Sequence, residues 1–184
     1  MSVGFRKPVR VAVFISGGGS TLQALLEMHH QFEIALVVSN RKNAPGLLKA
    51  RRFGKPIFVQ AKDFSFDELT KKLKSFGIER IILAGYMKIV PANFVEQWKF
   101  KILNIHPSLL PNLPGLNAAE RSYAAGGPMG VSIHFVTAEM DAGPLFLQQT
   151  SLADARSLSI GEAEIFLRRT EQHLLREMVL RSVA

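Results

Sequence analysis

The chain has 184 residues, of which 47% are hydrophobic and 21% are charged. This composition is typical of a globular protein with a sizeable core, and we expect one domain over residues 1–184. Cysteine is absent, which excludes a disulfide framework, a thiolate nucleophile and a cysteine metal site. No apolar run is long enough to span a bilayer, so the sequence predicts a cytoplasmic protein without membrane association.

Basic residues outnumber acidic residues by 23 to 15, which gives a formal net charge of +8. An excess of this kind attracts anions, and small phosphorylated or polycarboxylate substrates fit it. The lysines and arginines stand in ones and twos and form no basic stripe interleaved with aromatic residues. We therefore expect no nucleic acid partner. A solvated basic surface accounts for most of these charges.

Strand-like and helix-like segments alternate along the chain. Apolar, β-branched runs predict strands, and amphipathic stretches predict helices. In chain order, the predicted strands are residues 9–15, 34–38, 56–59, 81–84, 100–105, 131–136 and 144–149. The predicted helices are residues 21–30, 44–53, 66–76, 91–98, 117–125 and 159–183. Ser20 is placed as the N-cap of the first helix, and Gly54 and Gly77 end the second and third.

This alternation predicts a doubly wound α/β fold of the Rossmann-like type. Repeated strand–helix units give a mostly parallel sheet with right-handed crossovers and helices on both faces. The last two strands follow each other after a short connection, so at least one of them is expected to be antiparallel. A long C-terminal helix completes the predicted fold.

Asn104 and His106 lie two residues apart at the end of the fifth predicted strand. Side chains two apart in a strand point to the same face, so the amide and the imidazole project together. In open α/β sheets, ligands bind at the carboxyl ends of the strands. The proline-rich segment 107–114 cannot continue the strand and is expected to form an ordered loop. Taken alone, a histidine in this position is more often structural than catalytic.

Three successive glycines, residues 17–19, separate the first strand from the first helix. Glycines allow close backbone approach, and a helix N-terminus favours phosphate. The loop lacks the lysine of a Walker A motif, and Leu22 replaces the third glycine of a dinucleotide fingerprint. Ser39 and Asn40, rather than an acidic residue, end the second strand. The pattern favours a phosphate monoester over a dinucleotide, with a tight turn that binds no ligand as the alternative.

Two further loops end neighbouring strands. Residues 84–90 are apolar yet irregular, and their backbone groups suit edge-on hydrogen bonding to a flat heteroaromatic ligand. Hydrophobic packing of this loop is an equal alternative. Asp141 lies in a turn of small residues and is expected to face His106. A carboxylate there stabilises the charged imidazole as a general acid or electrostatic clamp, whereas an Asx turn is the structural alternative.

Five segments together resemble one known family. They read ISGGGSTLQALLE, VVSNRKNAPGL, LAGYMKIV, ILNIHPSLLPNLPGL and SIHFVTAEMDAGP. From Val11 to about Val179, their order and spacing are similar to those of phosphoribosylglycinamide formyltransferases (GAR transformylases), the folate-dependent enzymes of purine synthesis. Pro107 and the segment 114–116 favour this family over methionyl-tRNA formyltransferase. Formyltetrahydrofolate deformylase differs by an additional N-terminal regulatory domain.

The resemblance implies a single formyltransferase domain that transfers a formyl group from 10-formyltetrahydrofolate to the amine of glycinamide ribonucleotide. It implies no metal, small-molecule partners only, and a monomer or a homodimer. Asn104 would donate to the oxyanion, protonated His106 would act as a charged donor and proton shuttle, and Asp141 would keep His106 charged. His134 is similar to an active-site histidine of the family, with a structural role equally open.

The resemblance also implies two ligand subsites. The ribose phosphate would be held by Gly19, Ser20 and Thr21. The pterin pocket would be lined by Met87, Lys88, Ile89, Val90, Asn104, Ala138, Glu139, Met140 and Asp141.

Several positions depart from the pattern of the family. Gly18 and Thr21 stand where asparagine is usual, Asn117 replaces a histidine, and the segment 64–68 lacks a basic residue. At the substrate amine end, Gln172 stands in place of a glutamate.

Glu171 lies one residue earlier and compensates only if the helix is rotated or shifted. The glutamine at position 172 motivates one alternative, a formyltransferase for another amine such as an amino sugar nucleotide. The net charge of +8 motivates another, a non-enzymatic nucleotide- or RNA-binding α/β domain.

Overall fold

Residues 7–28 and 32–183 are described by the computed structural model, and seven strands within them form one sheet. The strands are β1 (Val9–Ile15), β2 (Phe32–Ser39), β3 (Ile57–Val59), β4 (Arg80–Leu83), β5 (Ile102–His106), β6 (Met129–Phe135) and β7 (Leu145–Leu152). Their order across the sheet is β3-β2-β1-β4-β5-β6-β7. The first five strands in the chain pair in parallel, and β6 is antiparallel to both β5 and β7. The predicted mixed sheet is therefore confirmed.

Six α-helices connect or follow these strands in the described part of the chain. They are α1 (Ser20–Glu27), α2 (Gly46–Arg52), α3 (Phe66–Ser75), α4 (Ala92–Gln97), α5 (Ala118–Ala125) and α6 (Ile160–Val183). A short 3₁₀ turn, Ala155–Ser157, precedes α6 and was not predicted. No helix among the described residues is both long enough and apolar enough to cross a membrane.

The sheet separates two hydrophobic cores, as the doubly wound prediction requires. In β1, Val13 and Ile15 face one core, whereas Ala12 and Phe14 face the other, and all four are fully buried. Helices α1, α2 and α6 cover the first face, and α3 and α4 cover the second. A strand buried on both faces reads as a continuous apolar run, which explains why β1 matched its prediction at both ends.

Some predicted boundaries were wrong. Gly19, not Ser20, occupies the N-cap position of α1, with a left-handed φ of 66° and no side-chain cap. Phe100 lies outside β5 with a φ of 56°, and β7 extends to Leu152. The first helix ends at Glu27, and the predicted extension to residue 30 falls partly outside the described residues. The first helix therefore begins directly after the glycine loop.

Candidate active site

The chain order reverses between β1 and β4, and the carboxyl ends of these strands border the site. The Ser16 amide donates to the Gly85 carbonyl at 3.1 Å, and the Ser16 hydroxyl accepts from the Met87 amide at 2.7 Å. The same hydroxyl donates to Asn40 Oδ1 at 2.6 Å. One buried serine therefore ties together the loops after β1, β2 and β4, at the position where open α/β sheets bind ligands.

The glycine loop after β1 exposes its backbone. A Cβ atom at Gly17 or Gly18 would meet nothing within 4 Å, so the space beside both residues is open. Gly19 differs, because its φ is +66° and a Cβ would lie 2.8 Å from the Gly46 Cα atom. The Lys49 ammonium donates to the Gly19 carbonyl at 3.1 Å. The loop is thus held rigidly against α2 while its outer side stays accessible to an anion.

One of the two residues predicted for the substrate amine end, Glu171, contacts the predicted phosphate subsite. Thr21 in the first turn of α1 donates its hydroxyl hydrogen to Glu171 at 2.5 Å. Burial raises the pKa of Glu171, and the Thr21 hydrogen bond and the Arg168 charge oppose that rise. Gln172 is exposed, as is Ser20. The structure therefore brings Glu171, rather than Gln172, to the predicted phosphate subsite.

Replacing Glu171 with glutamine is expected to change how stability depends on pH. Because the folded-state pKa is raised, the glutamate stabilises the fold most below its ordinary value of 4.5 and loses this contribution as the pH rises through the folded-state value. The variant should gain stability relative to the wild type along that rise. Melting temperatures from about pH 4 to about pH 8 test this. The exposed Glu68→Gln serves as control, and parallel curves for Glu171→Gln and the wild type would contradict the prediction.

Asp141 is the centre of the second part of the site. It adopts a left-handed φ of 52°, and its Oδ2 atom accepts from the Gly115 amide at 2.8 Å. Its Oδ1 atom accepts from Asn104 Nδ2 at 3.2 Å and lies 3.4 Å from His134 Nε2. His106 Nδ1 lies 3.5 Å from Oδ2. The structure thus brings the side chains of Asn104, His106 and His134 together around the carboxylate of Asp141.

The surroundings of Asp141 favour its ionised form. The hydrogen bond from His134 is the largest cause that lowers the pKa of this carboxyl group, and burial opposes it. The Gly115 amide and the charges of His106 and His134 lower it further, to about 2. The side chain is only 11% exposed, so these contacts are poorly screened by water. Asp141 is therefore a fixed negative charge at neutral pH.

Acid should remove the stability that this charge provides. A folded-state pKa of about 2, against an ordinary value of 3.8, corresponds to about 2 kcal/mol of stabilisation that is present above the ordinary value and is lost as the pH falls through the folded-state value. The difference in unfolding free energy between wild type and Asp141→Asn is expected to shrink accordingly. Urea unfolding of both proteins between about pH 6 and about pH 3 measures it. A pH-independent difference would contradict the lowered pKa.

Both nitrogen atoms of the His106 ring face acceptors. Nε2 lies 3.0 Å from the Leu113 carbonyl oxygen, which can only accept, so Nε2 carries a hydrogen. Nδ1 faces the Asp141 carboxylate. The ring is 5% exposed. A carbonyl and a carboxylate both accept hydrogen bonds, so each ring nitrogen of His106 faces an acceptor.

Asn104 and His134 are fixed by a similar argument. His134 Nδ1 lies 3.0 Å from the Phe135 carbonyl, so this nitrogen carries a hydrogen. The other ring nitrogen, Nε2, lies 3.1 Å from Asn104 Nδ2 and 3.4 Å from Asp141 Oδ1. In the resting site, the Asn104 amide nitrogen donates to Asp141 and contacts His134. The oxyanion role of Asn104 stays a prediction and requires one of these bonds to be exchanged for a ligand oxygen.

Exposed apolar side chains flank this cluster on the two predicted pterin loops. Met87 is 59% exposed, Ile89 is 76% exposed and Met140 is 59% exposed. Large exposed apolar residues next to buried polar groups are typical of a ligand pocket. The remaining predicted lining residues of these loops are exposed or half-buried, namely Lys88, Val90, Ala138 and Glu139.

A tyrosine hydrogen bond and a contact between a lysine and an aromatic ring hold the loop after β4. Tyr86 donates its hydroxyl hydrogen to Gln60 at 2.7 Å, and burial raises its pKa to about 12 against that hydrogen bond. The Lys88 ammonium lies 4.3 Å from the centre of the Phe64 ring. Lys88 therefore places a positive charge beside the segment 64–68, in which the sequence has no basic residue.

Sequence reasoning missed several groups of the site. The Gly115 amide and the Leu113 carbonyl are backbone groups, so no side-chain pattern announces them. Ser132 and Gln148 hold the loop after His106, and Ser132 is two residues from His134 on the same strand. Asn104 and His106 show the same two-residue spacing on their own strand. The spacing of Ser132 and His134 was therefore the sequence signal that these two side chains share a face of the sheet.

Comparison with known proteins identifies the family. A family model described as formyl transferase matches residues 9–179. The chain belongs to the formyl transferase family. The match spans every strand of the sheet and both parts of the site of this formyl transferase.

Relatives of this formyl transferase include enzymes with one activity and larger proteins. The phosphoribosylglycinamide formyltransferase of Haemophilus influenzae is 40% identical over 151 residues, which cover 76% of this chain and 71% of that protein. The trifunctional purine biosynthetic protein adenosine-3 of Homo sapiens is 41% identical over 155 residues, which cover 78% of this chain. The chain spans about 15% of the length of that human relative.

A solved structure shows the same architecture. Glycinamide ribonucleotide transformylase 1 from Geobacillus kaustophilus superposes with a TM-score of 0.88 at 32% identity, covering 96% of this chain and all of that one. In the described part of this formyl transferase, no group of three or more His, Asp or Glu residues has an arrangement that could hold a metal ion.

Proposed function

We propose that this formyl transferase transfers a formyl group from 10-formyltetrahydrofolate to the primary amine of glycinamide ribonucleotide, a step of de novo purine biosynthesis. The observation that carries the proposal is the convergence of Asn104, His106 and Asp141 at the sheet edge that also bears the open glycine loop. The named activities of the Haemophilus influenzae and Geobacillus kaustophilus proteins support the choice of substrate.

The chemistry is an acyl transfer between two nitrogen atoms. The lone pair of the acceptor amine attacks the formyl carbon, and the carbonyl electrons move to its oxygen to give a tetrahedral oxyanion. When the intermediate collapses, the bond between carbon and folate N10 breaks and its electrons stay on N10. One proton leaves the amine and one proton reaches N10, so the products are a formamide and tetrahydrofolate.

His106 and Asp141 divide the electrostatic work of this reaction. The imidazolium donates a charged N–H to the developing oxyanion and supplies a proton towards N10. For this, the ring must exchange one of its present acceptors for the ligand. Asp141 places a negative charge beside the ring and, through its bond to the Gly115 amide, stays fixed while that exchange takes place.

Asn104 is suited to hold the attacking amine as well as the oxyanion. Its Nδ2 atom donates to Asp141 and contacts His134, and among the described residues its Oδ1 atom has no hydrogen-bond partner. An amide oxygen accepts a hydrogen from an amine, which turns the nitrogen lone pair towards the formyl carbon. His134 thereby acts on the orientation of Asn104 rather than on the reacting atoms.

The two ends of the site fit the two substrates. The open backbone beside Gly17 and Gly18 and the start of α1 offer N–H groups to the ribose phosphate, with Gly19, Ser20 and Thr21 as the predicted contacts. The exposed apolar side chains of Met87, Ile89 and Met140 suit the flat pterin ring.

An acceptor panel tests the proposal. The full chain is mixed with 10-formyltetrahydrofolate and either glycinamide ribonucleotide, an amino sugar nucleotide or no amine, and tetrahydrofolate release is followed by absorbance. Release that depends on glycinamide ribonucleotide is expected. Preference for the amino sugar nucleotide would favour the alternative acceptor class. No release above the sample without amine would contradict formyl transfer altogether.

A further inference from the structure

A row of polar side chains crosses three strands beside His106. In the sheet register, His106 of β5 is opposite Ser132 of β6, and Ser132 is opposite Gln148 of β7. Residues directly opposite each other on neighbouring strands project from the same face. The row therefore extends from the buried histidine to Gln148 on the last strand, where the side chain is partly exposed to solvent.

Ser132 is the middle of this row and its hydroxyl group is fully used. The hydroxyl donates to the Ser108 carbonyl at 2.6 Å and accepts from the Leu110 amide at 3.0 Å. It also accepts from Gln148 Nε2 at 2.8 Å. Gln148 Nε2 donates in addition to the Leu110 carbonyl at 2.8 Å. Two side chains from β6 and β7 thus hold the backbone of the loop that follows His106.

The held loop ends at the acceptor of His106. The Ser108 hydroxyl donates to the Asn112 carbonyl at 2.8 Å and lies 3.4 Å from the Leu113 carbonyl. That Leu113 oxygen is the one that accepts from His106 Nε2. Leu113 has a φ of 55°, a left-handed backbone conformation that a leucine keeps only when surrounding contacts hold it there. Its carbonyl direction therefore depends on the anchors of the loop.

We propose that Gln148 is a positioning residue for His106. Its amide hydrogens fix Leu110 and Ser132, and these contacts keep the Leu113 carbonyl aligned with the imidazole. Without the Gln148 amide, the Leu110 carbonyl and the Ser132 hydroxyl each lose one hydrogen-bond donor. The loop after His106 then relaxes, and the His106 ring turns more freely. The expected kinetic consequence rests on the proposed formyl transfer, because it is read through kcat.

Gln148→Met tests the proposal, since methionine keeps the length of the side chain and removes both donors. Gln149→Met is the matched control, because the next residue on the strand points to the opposite face. We expect Gln148→Met to lower kcat about tenfold and to leave KM for the phosphorylated amine nearly unchanged. The control should match the wild type. In ¹⁵N NMR spectra of the full chain, the Nε2–H signal of His106 should exchange faster with water in Gln148→Met only.

Each further outcome decides the matter. An unchanged kcat with an unchanged His106 signal would overturn the proposal. A lower kcat that only follows a smaller folded fraction, with the His106 signal intact, would also overturn it. Gln148→Glu should give at least as large a loss, because a carboxylate would face the Leu110 carbonyl. If the wild type shows no formyl transfer, the proposed function fails, and the NMR comparison alone decides whether Gln148 positions the ring.

Discussion

Replacing His106 with alanine is expected to lower kcat by about 10³-fold. The imidazolium supplies both the charged donor for the oxyanion and the proton for the leaving nitrogen, and no neighbouring group replaces both. His134 already donates Nδ1–H to a backbone carbonyl, and its Nε2 atom contacts Asp141 and Asn104. Steady-state kinetics at saturating folate and acceptor measure the loss, and circular dichroism checks that the variant is folded.

A matched control separates the role of His106 from the loss of any histidine. His173→Ala, at an exposed position of α6, is the control. A folded His106→Ala protein with turnover within about threefold of the wild type would remove the proposed role.

Replacing Asp141 with asparagine should lower kcat by about 10²-fold to 10³-fold while the fold is kept. Asparagine has nearly the same shape, and its oxygen can still accept from the Gly115 amide. The negative charge is lost, however, and the new N–H₂ group faces either His106 or Asn104, both of which donate to Asp141 in the wild type. His106 loses the carboxylate that its Nδ1 atom faces, and with it the fixed negative charge beside the ring.

The contrast between kcat and KM separates this electrostatic effect from a general loss of binding. KM for the phosphorylated amine should change little, because the glycine loop makes no contact through Asp141. Asp63→Asn, at an exposed aspartate, controls for the loss of one charge from the protein. Full activity of Asp141→Asn would show that the carboxylate is not needed for turnover.

The sequence predicted the fold well because apolar periodicity and glycine breaks both act locally. The strand Val9–Ile15 ends just before the glycine loop, and its apolar run from Val11 to Ile15 is typical of a buried strand. The helix start was less certain. Ser20 is a good N-cap by type, yet the tight approach between Gly19 and Gly46 brings the chain into a left-handed turn one residue earlier. That contact joins two loops far apart in sequence, and local propensity does not contain it.

The site was predictable where strand geometry places side chains. Asn104 and His106 share a face because of the two-residue period, and no tertiary knowledge is needed for that step. The hydrogen-bond partners of these side chains could not be predicted in the same way. Leu113 and Gly115 contribute backbone groups whose directions depend on the path of the proline-rich loop. Glu171 could not be separated from Gln172 either, because the rotation of a long helix is set by its packing.

The central claim is that this cluster moves a formyl group directly from a folate to an amine. The most direct test is a single turnover with 10-formyltetrahydrofolate labelled with ¹³C in the formyl group, followed by NMR. The label is predicted to appear on the amine of glycinamide ribonucleotide, one formamide for each tetrahydrofolate released, and to stay on the folate with His106→Ala. Label recovered as free formate, or label that stays on the folate with the wild-type protein, would contradict the claim.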